Sequence, residues 1–346
     1  MSLEIPLLAF ILCAALHLVA LRGFKKINFL DFPERYGLTR ARLPYPTGIL
    51  SVIVFIALYA YITPQTLQTY GIIGGISLLG IVTFIDDRKG VHPIFRLIIQ
   101  ALIAFIIFAT GSRIYTLTNP LLADGLLNLD TIDIATRMFG PLPLWSGVFT
   151  IFWLMLCMNA LNWFDGIPGQ VSTLSTIGFI VIGMLSLSDR VSQPELALLA
   201  FILAGISLAG LLFDFPPNRV LMGDTGAMFY GLMLGVLTIY AGGKVATAFL
   251  VLGVPLIDVF FVVIRRISKG KSPLKGNATN EHLHHRLLTI GWSERKIIIL
   301  TATLGTLFGI TALFLSTNGK MIAAGILGLV MLGLSFYSRR SNHSKL

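Results

Sequence analysis

The sequence predicts an all-α polytopic membrane protein with about eleven transmembrane helices, an outer N-terminus and a cytoplasmic C-terminus. Three observations support this fold class. Of the 346 residues, 55% are hydrophobic and only 12% are charged, and the mean hydropathy is +0.84, a composition typical of membrane proteins. Most apolar stretches approach the roughly 20 residues that cross a hydrocarbon layer. Lysines and arginines are concentrated in alternate loops, as they are in membrane proteins of fixed orientation.

The apolar stretches follow one another with short polar loops between them, and no soluble domain interrupts them. We therefore expect a single integral membrane domain over residues 1–346. Internal repeats of the kind found in transporters are not visible in the sequence. The stretches cover residues 4–21, 48–63, 71–85, 93–110, 146–162, 172–188, 195–213, 226–242, 245–264, 296–316 and 320–337.

The first stretch determines the predicted orientation. Glu4 precedes it and a basic cluster follows it, which is the opposite of the charge arrangement in a cleaved signal peptide. The stretch should therefore remain as an anchor with its N-terminus outside. Counting spans from there, the outer segments contain only five of the 26 lysines and arginines, and the positive-inside rule then places the C-terminus inside. The five are Arg113, Arg137, Arg190, Lys244 and Lys320.

The inner loops carry most of the ionisable residues. A carboxylate is costly within hydrocarbon, so acids at the ends of membrane spans indicate a functional site. The net charge of +10 belongs mainly to this face, where it can meet membrane lipid and phosphorylated substrates. We expect no nucleic-acid partner, because the basic residues form no recognisable reader module. The loops expected to form the active face span residues 22–47, 86–92, 163–171, 214–225 and 265–295.

The longest outer segment, residues 112–145, differs from the other loops in composition. It mixes Gly, Pro and Asp with short β-branched runs. This pattern favours either a small hairpin or a surface helix.

The first inner loop contains prolines, glycines and arginines between Leu30 and Gly48. The prolines and glycines require an irregular backbone. Arg40 and Arg42 could bind a diphosphate or a lipid phosphate. Alternatively, they only help to fix the orientation of the protein, and the loop taken alone favours this second interpretation.

Asp86 and Asp87 end the third apolar stretch, and Arg96 lies at the start of the fourth. Adjacent carboxylates repel each other, so one can act as a base with a raised pKa, or both can be neutralised by a divalent cation. The alternative is a solvated turn with Arg88 and Lys89 as counterions. Arg96 at the mouth of a helix suits a phosphate, although a long cation can also extend to the membrane interface.

Three polar side chains, Asn159, Asn162 and Asp165, follow one another at a spacing of three at the end of the fifth stretch. This spacing places them along one helical face. Their oxygen atoms suit Mg²⁺, and an amide with a carboxylate can also bind the edge of a nucleobase. Helix capping could explain Asp165 but not two asparagines in an apolar stretch, so we favour a functional role.

Two further acids, Asp224 and Asp258, lie near helix ends. Asp224 stands between two glycines, which let a ligand approach the backbone while the carboxylate is presented at a helix N-terminus; an ordinary N-cap is the alternative. Asp258 lies within the ninth stretch, before Arg265 and Arg266. Pairing with a neighbouring helix explains Asp258 as well as catalysis does.

Three histidines, His282, His284 and His285, precede Arg286 in the last large inner loop. We call residues 281–289 the histidine loop. Clustered imidazoles can bind zinc, but the pattern lacks cysteine or a matching carboxylate. Contacts to phosphate and ribose fit the surrounding positive charge better.

Taken in order, these motifs resemble those of the polyprenyl-phosphate N-acetylhexosamine-1-phosphate transferases, the membrane family that initiates O-antigen, enterobacterial common antigen, teichoic acid and related glycan lipids. The resemblance covers nearly the whole chain. A sister family, which transfers phospho-MurNAc-pentapeptide, shares the middle motifs but differs at the histidine loop. The matching motifs are Asp31-x-Pro33, Asp86-Asp87, Asn159-x-x-Asn162-x-x-Asp165-Gly166, Gly223-Asp224-x-Gly226 and His282-x-His284-His285.

The resemblance implies a Mg²⁺-dependent phosphotransferase in a bacterial inner membrane, with its active site facing the cytoplasm. A UDP-N-acetylhexosamine, in the first instance UDP-GlcNAc, would donate its sugar 1-phosphate to polyprenyl (undecaprenyl) phosphate, with release of UMP. One phosphoanhydride replaces another, so the enzyme must chiefly align its substrates and neutralise their charge. The resemblance leaves open whether Mn²⁺ can replace Mg²⁺ and whether the protein forms a homodimer.

The same resemblance assigns roles to the motif residues. Asp224 and Asn162 would hold Mg²⁺. Asp86 or Asp87 would act on the acceptor phosphate, and Asp165 is the third catalytic candidate, beside the nucleoside and sugar. The substrate-binding candidates are Asn159, Arg96, Arg40, Arg42, Arg265, Arg266, His282, His284 and His285.

The sequence departs from the family pattern at three places. Relatives have a lysine in the first inner loop, so here Arg40 or Arg42 would have to contact the phosphate. Thr279-Asn280 stands where the family has an Asp-Lys pair before the histidines. Arg96 stands where many relatives have lysine.

Two other functions are compatible with parts of the sequence. A phospho-MurNAc-pentapeptide transferase would share the acidic motifs. A secondary transporter of an anionic solute would also use acids in broken spans. A transporter site should lie near the membrane midplane between repeats, however, whereas these groups gather at one edge.

Overall fold

A computed structural model of the chain describes residues 3–36, 39–118, 125–136, 138–242, 245–272 and 281–343. Helices account for most of this part of the chain. A short 3-10 helix, Pro33–Tyr36, lies in the first loop. The α-helices of the described ranges are α1 (Glu4–Lys26), α2 (Gly48–Ile62), α3 (Leu67–Lys89), α4 (Pro93–Ala109), α5 (Leu144–Phe164), α6 (Gln170–Leu187), α7 (Pro194–Asp214), α8 (Gly223–Tyr240), α9 (Val245–Val251), α10 (Gly253–Ser268), α11 (Leu283–Thr289), α12 (Glu294–Phe314) and α13 (Thr317–His343).

The predicted all-helical membrane fold is confirmed, since each apolar stretch coincides with a helix or with one bent pair. Within the described residues, seven helices are long and apolar enough to cross a membrane, and the bent pair of α9 and α10 would be an eighth. α2 and α4 are apolar but shorter, and α8 is buried from Thr225 to Ile239. The count of eleven spans and the orientation therefore stay predictions.

The ninth apolar stretch, predicted as one span over residues 245–264, is two helices instead. α9 and α10 meet at an angle of 85°. Pro255 lies in the first turn of α10, where it has no N–H for the carbonyl of Val251 and its ring would crowd that carbonyl in a continuous helix. The bend directs α10 toward α5 and α13, against which it packs.

α8 is the centre of the bundle. It packs against α2, α3, α5 and α6, and its side chains Phe229 and Tyr230 are fully buried. The hydroxyl of Tyr230 shares a hydrogen bond of 2.9 Å with that of Ser51 in α2. Around this core, α7 packs against α1 and α6, whereas α13 lies at the periphery against α9, α10 and α11. The N-terminus of α8 is thus surrounded by several other helices.

The first loop, residues 27–47, pairs with the segment before α8. The backbone N–H of Leu221 donates to the carbonyl of Pro44 at 3.0 Å, and that of Thr47 donates to Leu221 at 2.9 Å. At the start of α2, Gly48 donates to the carbonyl of Met222 at 2.9 Å. This pairing holds the beginnings of α2 and α8 side by side. We call this end of the bundle the active end.

The segment from 112 to 145 forms two antiparallel strand pairs and no surface helix within its described residues. β1 (Thr116–Thr118) pairs with β2 (Leu126–Asn128), and β3 (Asp133–Thr136) pairs with β4 (Gly140–Pro143). β4 leads directly into α5. The hairpin alternative of the sequence prediction therefore agrees with the structure.

Candidate active site

At the active end, α3, α4 and α8 bring three of the predicted site residues into contact. Arg96, in the first turn of α4, places Nη1 2.9 Å from an oxygen of Asp86 and 2.8 Å from an oxygen of Asp224. We call Asp86, Asp87, Arg96 and Asp224 the acid cluster. The arginine is partly buried, so solvent screens this pairing less than an exposed ion pair. The predicted position of Arg96 beside the acids agrees with this geometry. A phosphate would compete with the carboxylates for its guanidinium group.

Asp87 caps the N-terminus of α8 from α3. Its carboxylate accepts the backbone N–H of Asp224 at 2.9 Å and that of Thr225 at 3.0 Å. It also accepts the hydroxyls of Thr225 and Tyr45, each at 2.6 Å. Helix N-termini leave N–H groups unpaired and carry partial positive charge, so a carboxylate there is favourable. The N-cap that was the alternative role for Asp224 is therefore supplied by Asp87.

Gly223 is required by this cap. Its φ is +78°, in the left-handed region that favours glycine. A β-carbon at this position would lie 2.8 Å from an oxygen of Asp87 and 2.8 Å from the ring of Tyr45. The sequence linked this glycine to the approach of a ligand, whereas the structure shows that it admits a carboxylate of the protein.

Asp86 is fixed by two donors. Besides the guanidinium from α4, its carboxylate accepts the backbone N–H of Val91 at 2.7 Å. Arg88 donates to two backbone carbonyls of the first loop. The interpretation of a solvated turn with Arg88 and Lys89 as counterions is therefore wrong for Asp86, because its side chain is only 9% exposed and pairs with Arg96.

Asn159 is held by a second amide side chain, that of Gln100 in α4. The Nδ2 group of Asn159 donates to Oε1 of Gln100 at 2.6 Å and to the carbonyl of Met155 at 2.8 Å. Gln100 is buried, so the pair lies in the protein interior. Asn159 thus links α4 to α5, and its role in substrate binding stays a prediction.

Asn162 and Asp165 lie beside the acid cluster at the end of α5. Asn162 points its amide toward Asp224, yet its Nδ2 atom is buried and makes no hydrogen bond of ordinary geometry within the described residues. Asp165 is the C-cap residue that follows α5. Burial raises the pKa of the Asp165 carboxyl well above its usual value, and Asp214, Asp224 and Asp87 raise it further by charge repulsion.

Asp214, which the sequence did not single out, organises the segment after α5. This buried carboxylate at the end of α7 accepts the backbone N–H of Gly169 at 2.9 Å and the hydroxyl of Ser172 at 3.0 Å. These bonds cap the start of α6. Asp214 therefore fixes the turn that begins at Asp165.

The histidine loop is anchored by Asp258 of α10. The carboxylate of Asp258 lies 2.7 Å from Nδ1 of His282 and accepts the backbone N–H of Leu283 at 2.9 Å. Asp258 and His282 are both buried, and the ring of His282 packs against Trp163 of α5. Asp258 thus pairs with a neighbouring element, one of the two interpretations that the sequence left open.

His284 is buried against the end of α5. Neither of its ring nitrogens has a hydrogen-bond partner in the part of the chain that the structure describes. Its Nε2 occupies the space where Gly166 would carry a β-carbon, and its ring lies edge-on to Phe164. Burial lowers the pKa of His284 well below its usual value, and His285 and His282 lower it further. The imidazole is therefore neutral at pH 7, with one donor and one acceptor unused.

The three histidines form no zinc site within the described ranges. The rings of His282 and His284 stack with centroids 5.8 Å apart, and the ring of His285 lies 4.2 Å from that of His284. No group of three or more His, Cys, Asp or Glu residues there could hold a metal ion. The contacts to phosphate and ribose that the sequence favoured over zinc stay a prediction.

Two arginines at the end of α10 hold the start of the histidine loop. Nη1 of Arg265 donates to the backbone carbonyl of Glu281 at 3.1 Å, and Nε of Arg266 donates to the Glu281 carboxylate. This hydrogen bond from Arg266 is the main cause that lowers the pKa of Glu281. The phosphate-binding role of both arginines stays a prediction. Thr279-Asn280 lies outside the described residues.

Arg40 and Arg42 are engaged within the first loop. Arg40 makes a two-point contact with Asp31, at 2.6 Å from Nη2 and 3.3 Å from Nη1. Arg42 pairs with Glu34 at 3.0 Å. Both guanidinium groups therefore contribute to the structure of the loop itself, and the structure does not bring them to the acid cluster. Their contact with phosphate stays a prediction.

Sequence reasoning missed four residues of the site: Tyr45, Gln100, Asp214 and Thr225. A polar side chain inside or directly after an apolar stretch is costly and therefore informative, so Gln100 and Asp214 could have been found from their positions. Tyr45 and Thr225 lie in polar segments, where no comparable signal exists.

The acid cluster contains three carboxyl groups and one guanidinium group. Mg²⁺ in proteins is usually held by one or two carboxylates together with water and substrate phosphates. Asp224 supplies such a carboxylate, and the amide of Asn162 can rotate to present its oxygen. The residues present therefore fit Mg²⁺ when a phosphorylated substrate supplies further ligands.

The fold and the site together define a class of protein: an integral membrane enzyme suited to phosphate-bearing substrates, with acids, amides and cations gathered at one end of its helices. The particular family follows from comparison. Residues 69–242 match glycosyl transferase family 4, and this match covers half of the 346-residue chain. The chain belongs to this family, as its motifs predicted.

Several curated proteins are similar to the chain. It is 27% identical over 300 residues to the probable undecaprenyl-phosphate N-acetylglucosaminyl 1-phosphate transferase of Bacillus subtilis (strain 168), with 84% of this chain and 78% of that protein covered. It is 26% identical over 307 residues to the undecaprenyl-phosphate alpha-N-acetylglucosaminyl 1-phosphate transferase of Salmonella typhi, covering 83% and 77%. It is 29% identical over 247 residues to the decaprenyl-phosphate N-acetylglucosaminephosphotransferase of Mycolicibacterium smegmatis, covering 64% of this chain and only 57% of that protein.

Proposed function

We propose that this protein transfers N-acetylglucosamine 1-phosphate from UDP-GlcNAc to a polyprenyl phosphate such as undecaprenyl phosphate, with release of UMP. The acid cluster carries the proposal: Asp86 and Asp224 are joined through Arg96, and Asp87 fixes the start of α8. All four residues of the cluster lie within the segment that matches the family. The similar proteins are named as transferases of this kind.

The reaction exchanges one phosphoanhydride bond for another. An oxygen of polyprenyl phosphate forms a bond to the sugar-bearing phosphorus of UDP-GlcNAc, and the bond from that phosphorus to the UMP oxygen breaks. The two bonds are chemically alike, so the protein must mainly align two anions in line and offset their charge. Side chains that hydrogen bonds already hold in place can do this without rearrangement.

Mg²⁺, when bound, would offset the charge of the two anionic substrates beside the acids. Asp224 and Asn162 are the residues that would hold it. Mn²⁺ prefers similar oxygen ligands and could replace it. Arg96 would exchange one of its carboxylate partners for a phosphate oxygen.

The two adjacent acids have different roles in this proposal. Asp87 accepts four hydrogen bonds, so it would position α8. Asp86 shares the guanidinium of Arg96 and would orient the acceptor phosphate. Because a phosphate monoester is largely dianionic at pH 7, the reaction does not require a general base.

Asp165 and the histidine loop would bind the nucleoside and sugar of the donor. Asp165 has a raised pKa and so retains a proton more readily than a free carboxyl group. The neutral ring of His284 has both nitrogens without partners in the described residues, and it can donate one hydrogen bond and accept another. Such groups suit the hydroxyls and amides of a nucleotide sugar.

We further propose that the active end faces the cytoplasm of a bacterial inner membrane, because most of the lysines and arginines lie in loops at this end. Eleven spans would result if α2, α4 and α8 also cross the membrane. That two copies of the chain form a homodimer stays a prediction.

The activity can be tested with purified protein, undecaprenyl phosphate and a donor panel of UDP-GlcNAc, UDP-GalNAc and UDP-MurNAc-pentapeptide. We expect UMP release with UDP-GlcNAc that requires both the lipid acceptor and Mg²⁺. Activity with UDP-MurNAc-pentapeptide alone would indicate the sister reaction. Solute flux in proteoliposomes without UMP release would indicate a transporter.

The metal assignment can be tested with Asp224→Asn. The substitution removes the charge that attracts the cation, so the maximal rate should fall and half-maximal rate should need more Mg²⁺. Asp130→Asn is the matched control, because Asp130 is an exposed acid in the segment between α4 and α5. Near-normal rates of Asp224→Asn at low Mg²⁺ would contradict the assignment.

A further inference from the structure

A groove of about 630 Å³ lies between α10 and α13, apart from the acid cluster. Its apolar walls are formed by Phe261 and Ile264 of α10 and by Leu332 and Phe336 of α13. α13 packs against α9, α10 and α11, whereas the acid cluster lies on α3, α4 and α8. The groove is therefore on the periphery of the bundle, where a membrane protein meets lipid.

The apolar side chains of the groove are accessible. The exposed fractions are 48% for Ile264, 39% for Leu332 and 66% for Phe336. A contiguous apolar surface of this kind is unfavourable in water and marks a contact with lipid or another apolar partner. Acyl chains are therefore suitable occupants of this part of the groove.

One end of the groove is basic. Arg265 and Lys269 of α10 and Arg339 of α13 line it. Arg286 of α11 adjoins it, since its Nη1 donates to the carbonyl and hydroxyl oxygens of Ser335, another lining residue. Burial lowers the pKa of Arg286 to about 10, and the charge of Arg265 lowers it further. The cations at this end are close enough to repel one another.

The acids near the basic end are already paired. Glu281 accepts from Arg266, and Asp258 is held by the histidine loop. The Nε atoms of Arg265 and Arg286 are buried without hydrogen-bond partners among the described residues. Positive charge is therefore in excess, and an anion would both offset this charge and accept from unsatisfied donors.

We propose that the groove binds an anionic phospholipid, with the phosphate at Lys269 and Arg339 and the acyl chains along Leu332 and Phe336. The proposal does not depend on the transferase activity. Polyprenyl phosphate has similar chemistry, but its phosphate must reach the acid cluster on α3, α4 and α8, whereas this groove is lined by α10 and α13. Because Arg265 also holds Glu281, a lipid bound here would support the start of the histidine loop.

Photocrosslinking can locate the lipid. Full-length protein in phosphatidylcholine nanodiscs would be irradiated with a photoreactive phosphatidylglycerol, and the modified peptides would be identified by mass spectrometry. We expect crosslinks concentrated on α10 and α13 that excess phosphatidylglycerol removes and phosphatidylcholine does not. Crosslinks spread evenly over lipid-facing helices such as α1 would overturn the proposal. Removal by undecaprenyl phosphate but not by phosphatidylglycerol would show that the groove takes the acceptor instead.

A pair of double variants supplies a matched comparison. Lys269→Gln with Arg339→Gln removes two charges from the groove, and Lys25→Gln with Lys26→Gln removes two exposed charges from the end of α1. The preference for spin-labelled phosphatidylglycerol over phosphatidylcholine should fall about fivefold per groove cation and stay unchanged in the α1 variant. Equal losses in both would mean a diffuse surface attraction and would refute a built site. Size-exclusion profiles check that both variants fold.

Discussion

The acid cluster and the histidine loop, the two halves of the proposed active site, differ in how many of their polar atoms already have partners. In the acid cluster, Asp87 alone accepts four hydrogen bonds. In the histidine loop, Asp258 holds His282, but both ring nitrogens of His284 lack partners within the described residues. One half is therefore preorganised, and the other retains hydrogen-bonding capacity for a ligand.

This difference predicts that substitutions in the two halves change different kinetic constants. Groups that are fixed before the substrate arrives stabilise the transition state without rearrangement, so changes in the acid cluster should lower kcat. Groups that bind the donor in the ground state and transition state alike affect KM. Changes near His284 should therefore act mainly on the KM for UDP-GlcNAc.

The largest expected effect is that of Asp87→Asn. The four donors that contact Asp87 now share its two carboxylate oxygens, whereas an amide has only one oxygen. The NH₂ group of the amide would face the backbone N–H groups of α8. Because a weakened cap would misplace the start of α8, we expect the rate of UMP release to fall about 100-fold, with a smaller loss for Tyr45→Phe, which removes one donor and keeps the carboxylate. A normal rate for folded Asp87→Asn would remove this residue from the mechanism.

Gly166→Ala should have an intermediate effect. The added methyl group would occupy the space of the His284 ring, so we expect the KM for UDP-GlcNAc to rise roughly tenfold, as a loss of about 1.4 kcal/mol in binding would produce. Gly74→Ala is the control, because a β-carbon at this position in α3 meets nothing within 4 Å. A fall in kcat with unchanged KM would contradict the division between the two halves.

Asp165→Asn should lower the rate without lowering stability. The raised pKa of Asp165 means that the folded protein favours the neutral carboxyl, and this contribution to stability is lost as pH rises through the folded pKa. The neutral amide avoids that loss, so we expect a free energy of unfolding equal to or up to about 1 kcal/mol above that of the parent protein, with the gain increasing with pH. Thermal unfolding of the protein without substrate measures it; a lower Tm for Asp165→Asn would argue that the charged form is stabilising.

The smallest expected effect is a pH dependence from His284. Its folded pKa is lowered, so the unfolded chain binds the extra proton and stability is lost as pH falls below about 6.5. His284→Gln should make the fall in Tm between pH 7 and pH 5 less steep. His92→Asn is the control, since His92 is exposed at the start of α4. Parallel Tm curves for His284→Gln and the parent protein would contradict a buried neutral ring.

The helices could be predicted from the sequence because hydropathy is a local property. The bend between α9 and α10 could not, although Pro255 is present, because the apolar stretch continues through it and its direction depends on packing against α5 and α13. The convergence of Asp86 and Asp224 followed from counting spans. The partners of Asp87 did not, because the donors of α8 are about 137 positions away in the chain. The pairing of Arg40 with Asp31 was missed for a different reason: the two interpretations of this loop were a phosphate contact and a role in orientation, and neither included an ion pair within the loop.

The cap that joins α3 to α8 also bears on biogenesis. Asp87 leaves the ribosome 137 residues before its backbone partner Asp224. During that interval its carboxylate must be hydrated or accept hydrogen bonds from other donors. Docking of the later helix gives the carboxylate its permanent donors, and the same event completes the proposed active site. A chain that has inserted every helix but not docked α8 would persist in the bilayer without turnover, so that catalysis reports completed assembly.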